Sequence, residues 1–84
     1  LEERIRQVLE VLSKVKADTM TPRSVRSLVE QAMSELSMRG DPKMRAASAA
    51  SYLDRAGNDP NLPPHIRTAI WGALSTLEGL REGG

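Results

Sequence analysis

Apolar residues along this 84-residue chain return at steps of three and four, not two. Ile5, Val8, Leu12 and Val15 open the pattern, and Leu1 and Leu9 widen the stripe. That spacing puts them on one face of a helix over residues 2–17. Glu2 and Glu3 at its start, and Lys14 and Lys16 at its end, complement the helix dipole. Val25, Leu28, Val29, Ala32, Met33 and Leu36 predict a second helix over residues 22–38. Thr21 is its expected N-cap, with Pro22 at the first helical position and Gly40 beyond its end as a left-handed cap.

Asp41-Pro42 repeats the cap-then-proline start and opens a third helix over residues 42–56. Its middle is a run of small residues from Ala46 to Ser51, with Met44, Ala47, Ala50 and Leu53 as the expected inward positions. So little bulk fills a core only if the neighbours come close. The third helix is therefore expected at the centre, against at least two others. The segment Gly57-Asn58-Asp59-Pro60-Asn61 is a strong turn signal. A fourth helix follows over residues 64–81, with Ile66, Ala69, Ile70, Ala73, Leu74, Leu77 and Leu80 on its apolar face. Gly72 inside it costs about 1 kcal/mol against Ala, which close approach to the third helix would offset. Residues 82–84 are expected to fray.

The three connections are short, so successive helices are antiparallel neighbours. The pattern predicts an all-α, antiparallel, up-down-up-down four-helix bundle, with residues 1–84 as a single domain.

Composition narrows the function. There is no Cys, so neither disulfides nor thiolate metal sites contribute. Twelve Lys and Arg face eleven Asp and Glu, a net charge of +1. This opposes bulk electrostatic capture of nucleic acid but leaves a local patch open. No apolar run approaches the roughly 20 residues of a membrane span, and residues 1–6 do not read as a signal peptide. A cytoplasmic protein without membrane partners is expected.

Three helix starts share a motif: Pro22-Arg-Ser-Val25-Arg26, Pro42-Lys-Met44-Arg45 and Pro64-His-Ile66-Arg67. Proline opens the helix, an apolar residue turns inward, and Arg follows. The segment GDPKMRAASAASYL also resembles a HEAT-repeat helix, so a HEAT-like scaffold is an alternative, although one helix per period departs from HEAT pairing. A resemblance over most of the chain is more specific. TPRSVR, DPKMRAASAASYLD and DPNLPPHIRTAIWGALSTLE are similar to the small archaeal proteins of uncharacterised protein family 0147. That resemblance implies a single all-helical domain of archaeal origin and no particular chemistry.

Arg26, Arg45 and Arg67 face the positive end of their own helices, which is unfavourable without compensation. Either a bound phosphate or carboxylate supplies it, or the nearby Asp18, Asp41 or Asp59 does. In the bundle, Lys14, Lys16, Arg23, Arg26, Arg55 and Arg67 share one end with Asp18, Asp54 and Asp59, a net +3. His65, the single histidine, lies beside that end and is expected to be exposed without a structural part. One His without a His or Cys partner is a poor zinc site, and no Ser-His-Asp pattern or phosphate loop accompanies it. No enzyme activity, cofactor or metal is therefore expected. Trp71 lies at the edge of the fourth stripe and is either a core anchor or partly exposed. Met20, Met38, Met44 and Leu62 near the turns either fold back on the core or form an apolar patch. The sequence favours an interaction or assembly module for an unidentified protein or a second copy. Its candidate surface is Arg23, Arg26, His65, Arg67, Trp71, Lys14 and Lys16. Nucleic-acid binding through the basic end is the alternative.

Overall fold

The computed structural model describes residues 1–81, with side chains through residue 80. The described residues form four helices, α1 (Glu2–Ala17), α2 (Arg23–Ser37), α3 (Pro42–Gly57) and α4 (Pro64–Arg81). The 18 residues of α4 extend about 27 Å, so the helices lie along the 32 Å axis of a 32 × 19 × 17 Å molecule. As expected, α3 packs closely on both α2 and α4. The helix α1 lies against α2 and α4 and closes the bundle. That closure distinguishes it from the open stack of a HEAT-like solenoid.

The core reveals a longer period than the helix starts suggest. Ile5, Val8, Leu12, Val15, Thr21, Val25, Val29, Ala32 and Leu36 are buried. Ala46, Ala49, Leu53, Ala56, Leu62, Ile66, Ile70, Ala73 and Leu77 match them one for one, at a constant offset along the chain, and are buried too. The repeating unit is thus a two-helix hairpin, α1–α2 followed by α3–α4. It aligns Pro22 with Pro63 and Arg26 with Arg67.

Several local expectations change. Thr21 is not an N-cap. Its side chain is buried and its hydroxyl donates to the Val15 carbonyl at 2.7 Å, reinforcing the weaker bond which that carbonyl accepts from the Asp18 N–H at 3.2 Å at the end of α1. Pro22 takes the cap position of α2, its carbonyl accepting from the Arg26 N–H at 2.9 Å. Asp41 does cap α3, accepting from the Lys43 N–H at 2.9 Å. Gly40 carries the one positive φ among the described residues.

The inward face of α3 is Ala46, Ala49, Ala50, Leu53, Ala56 and Gly57. Met44 is exposed and Ala47 only half-buried. A run of small residues carries little contrast in bulk, so the phase of this helix is set by the neighbours on both sides. Leu1 is half exposed and sits ahead of α1 rather than in its stripe. Leu62 folds onto the core, whereas Met20 and Met38 stay exposed. The expected fraying of residues 82–84 lies outside the described residues.

Gly72 does not touch α3. It faces open space beside α1, and nothing lies within 4 Å of where its Cβ would be. The close approach is at Gly57, where an added Cβ would stand 2.8 Å from the Trp71 Nε1. These two glycines should respond oppositely to Ala. In dilute protein, Gly72→Ala is expected to stabilise by about 1 kcal/mol through helix propensity. Gly57→Ala is expected to destabilise by about 1 kcal/mol by displacing the indole. Thermal denaturation followed by circular dichroism measures both.

Candidate functional site

The three repeated arginines turn out to be clamps on backbone. The Arg26 Nε donates to the Lys16 carbonyl at 2.9 Å, and its Nη2 to the carbonyls of Asp18 and Thr21 at 3.1 and 3.2 Å. Arg67 does the same at the matching positions of the second hairpin. Its Nη1 donates to the Gly57 carbonyl at 2.6 Å, and its Nη2 to those of Asp59 and Leu62 at 3.0 and 3.5 Å. Arg45 donates to the Leu36 carbonyl at 2.5 Å and the Gly40 carbonyl at 3.5 Å. It adds an ion pair to Glu2 at 2.9 Å, which ties the starts of α1 and α3. Its buried Nε has no partner among the described residues.

The expected acid partners were therefore wrong. None of these guanidiniums pairs with the carboxylate of Asp18, Asp41 or Asp59. Each reaches the last carbonyls of the preceding helix and its turn, where the dipole is negative and carbonyls have spare acceptor capacity. A nearby negative helix end compensates the positive one.

The aspartates shape the turns instead. Asp18 Oδ1 accepts from the Met20 N–H at 2.8 Å, and Asp59 Oδ1 from the Asn61 N–H at 2.8 Å. Their second oxygens cross the bundle. Asp18 Oδ2 lies 3.0 Å from the His65 Nε2, and Asp59 Oδ2 accepts from the Ser24 Oγ at 3.2 Å. Ser24 and His65 themselves occupy matching positions in the two hairpins. Each turn thus bonds the helix start beside the other turn, the reciprocity of a twofold axis. The two hairpins pack as an internal pseudo-dimer. His65, exposed as expected, is not idle: it links α4 to the end of α1.

Two departures from this internal symmetry are informative. Lys16 pairs with Glu30 at 3.5 Å in the first hairpin. The matching positions in the second are Gly57 and Trp71. Trp71 lies over Gly57 with 53% of its surface exposed, and the Arg67 guanidinium is 5.8 Å from its ring centre. Trp71 is thus partly exposed rather than a core anchor, and one side of it forms a lid on the Arg67 clamp.

The second departure is a groove. Between α1 and α4 runs a cavity of about 440 Å³ lined by Gln7, Val8, Val11, Thr68, Ala69, Gly72, Ala73 and Thr76. A smaller one of about 180 Å³ continues past Lys14 to Asp18 and His65. The positions matching Val11 and Ala69 in the α2/α3 seam hold Tyr52 and Leu28, which pack against the core. Where one seam is filled by a Tyr and a Leu, the other is left open by a Val and an Ala.

The structure therefore divides the sequence-derived candidates. Arg26 and Arg67 are engaged by carbonyls, and Lys16 by Glu30. Lys14 and His65 line the groove. Arg23 is exposed, without an ion pair among the described residues. From the sequence, Ala69 is placed on the apolar face of α4 and Gly72 against α3, Val11 is not named, and none of the three reads as part of a site. Only their match to Tyr52, Leu28 and Gln31 across the hairpin repeat marks them.

Among the described residues no helix is long and apolar enough to cross a membrane. A closed bundle of two helical hairpins, joined by arginine–carbonyl clamps, defines the class of protein. The chain matches Uncharacterised protein family (UPF0147) over residues 1–80, as the resemblance in its last helix implied, and it belongs to that family. It is 46% identical over 77 residues to a UPF0147 protein of Methanosarcina mazei, covering 90% of this chain and 83% of that one. A UPF0147 protein of Pyrococcus furiosus is 42% identical over 83 residues, 96% of this chain and 89% of its own. The fold is similar to the crystal structure of a UPF0147 protein from Thermoplasma acidophilum, with a TM-score of 0.85, 32% identity and 93% of each chain covered.

Lysine offers one point charge where the Arg fork spans three carbonyls. Arg67→Lys is therefore expected to cost about 2 kcal/mol in urea denaturation, and Arg23→Lys no more than about 0.5 kcal/mol. The Met20 N–H first, and then the His65 ring, hold the Asp18 carboxyl below its ordinary 3.8. A depressed folded value means that this contribution is complete above 3.8 and is lost as pH falls through the lower folded value. Asp18→Asn should therefore lower the melting temperature near neutrality and flatten its decline below pH 3.8, as thermal melts across the acid range would show.

Proposed function

We propose that this protein is a non-catalytic protein-interaction module that binds its partner along the α1/α4 face. The open seam supports the reading. In the hairpin repeat, the α2/α3 seam is closed by a Tyr and a Leu, whereas the seam between α1 and α4 carries Val11 and Ala69 instead. The result is a partly apolar groove on the flank of a bundle whose helix ends are already bound internally. Grooves between helices are common sites for a partner's apolar side chains.

The competing reading is nucleic acid at the basic end. A half-exposed Trp71 beside Arg67 favours it, since aromatic faces stack bases and arginines hold phosphates. Against it, Arg26, Arg67 and Lys16 are engaged within the protein, which leaves Lys14, Arg23 and Arg55 as the remaining cations of that end. This supports the groove over the basic end as the contact surface.

The test is affinity purification from a lysate of an archaeon that carries a UPF0147 protein, with and without nuclease. The expected result is a protein retained after nuclease treatment and released by Ala69→Leu, which fills the groove as Leu28 fills its counterpart. Retention abolished by nuclease, or untouched by Ala69→Leu, would overturn the reading.

A further inference from the structure

We infer that the occupant of the α1/α4 face is a second copy of this chain, seated about a twofold axis at the level of Val11 and Gly72. The inference rests on the groove being a docking surface, and it names the partner from three observations.

The first is register. Asp18 faces His65, and the groove sets Gln7 and Val11 beside Thr76 and Gly72. Val11 and Gly72 thus stand at one height, at the middle of the groove. A twofold axis crossing the helices there lays α1 antiparallel on the other copy's α1, and α4 on its α4.

The second is charge. Arg4 and Asp18 stand at equal distances to either side of Val11, two helical turns in each direction. The axis therefore brings Arg4 of each copy to Asp18 of the other, twice per dimer. On α4 the groove is lined by His65, Thr68, Ala69, Gly72, Ala73 and Thr76, with no carboxylate, Lys or Arg among them. Two copies of that face meet without like-charge repulsion.

The third is shape. Gly72 has nothing within 4 Å of a Cβ position, and Thr68 and Thr76 lie about one helical turn to either side. An antiparallel pair of α4 helices crosses closely at Gly72, with Thr68 of one copy against Thr76 of the other. Val11, 37% exposed, enters the space that Tyr52 occupies in the internal seam. The interface is isologous and closes as a dimer rather than growing into a filament.

Sedimentation velocity on the full chain, from low micromolar to about 1 mM, tests this. A concentration-dependent dimer is expected. Val11→Glu places two carboxylates at the axis and should weaken it by about tenfold or more, with the helical circular dichroism spectrum unchanged. Arg4→Glu should weaken it too, and Arg4→Glu with Asp18→Arg should restore it. A monomer at the highest concentration, or a dimer indifferent to Val11→Glu and Arg4→Glu, would overturn the inference. A monomer that still retains a lysate protein through the groove would overturn the second copy alone and leave the interaction reading standing.

Discussion

An arginine laid across the end of the preceding helix organises this structure. A helix that stops leaves carbonyls without N–H partners at the negative end of its dipole. A helix that starts leaves a positive end, where a cation is out of place. Arg26, Arg45 and Arg67 bring the two problems together, each lying near the start of its own helix and reaching the last turn of the one before. The planar fork bonds two or three carbonyls at once, and so sets the path of each turn as well as its energy. The prolines ahead of these arginines stiffen the same joints.

Because Arg26 and Arg67 grip carbonyls at identical offsets, the two hairpins are built alike, and their aspartates exchange partners across the bundle. This explains why Asp18 and Asp59 are not partners of the arginines. One oxygen of each holds its own turn, and the other reaches Ser24 or His65 of the opposite hairpin. With plan and joints shared, the differences between hairpins stand out. Alanines in α3 draw α2 and α4 close. Bulkier residues in α1 hold its neighbours further off, and α4 offers it Ala69 and Gly72 rather than anything that fills the gap. The open seam follows from an imperfect internal symmetry.

Much of the fold was legible in the chain. Helical stripes, prolines, the Asp41 cap and the Gly40 turn are local signals, and each placed its element within a residue or two. The Arg motif was also visible, but taken helix by helix it hid the two-helix repeat. The motif aligns Pro22 with Pro64, whereas burial aligns it with Pro63. The phase of α3 was not legible, because alanines look alike on every side of a helix. The carbonyl partners were hidden for a related reason: backbone acceptors carry no letter in a sequence, so the nearby aspartates drew attention in their place.

The amino-acid order by itself determined four amphipathic helices, their short antiparallel connections and the family, since periodicity, capping and turn chemistry act within a few residues. Tertiary structure alone decided what the arginines hold, that His65 meets Asp18, that Trp71 covers Gly57 and Arg67, and that one seam is closed and the other open. Those outcomes depend on which side chain stands opposite across the bundle, and on whether the two together fill the space between them.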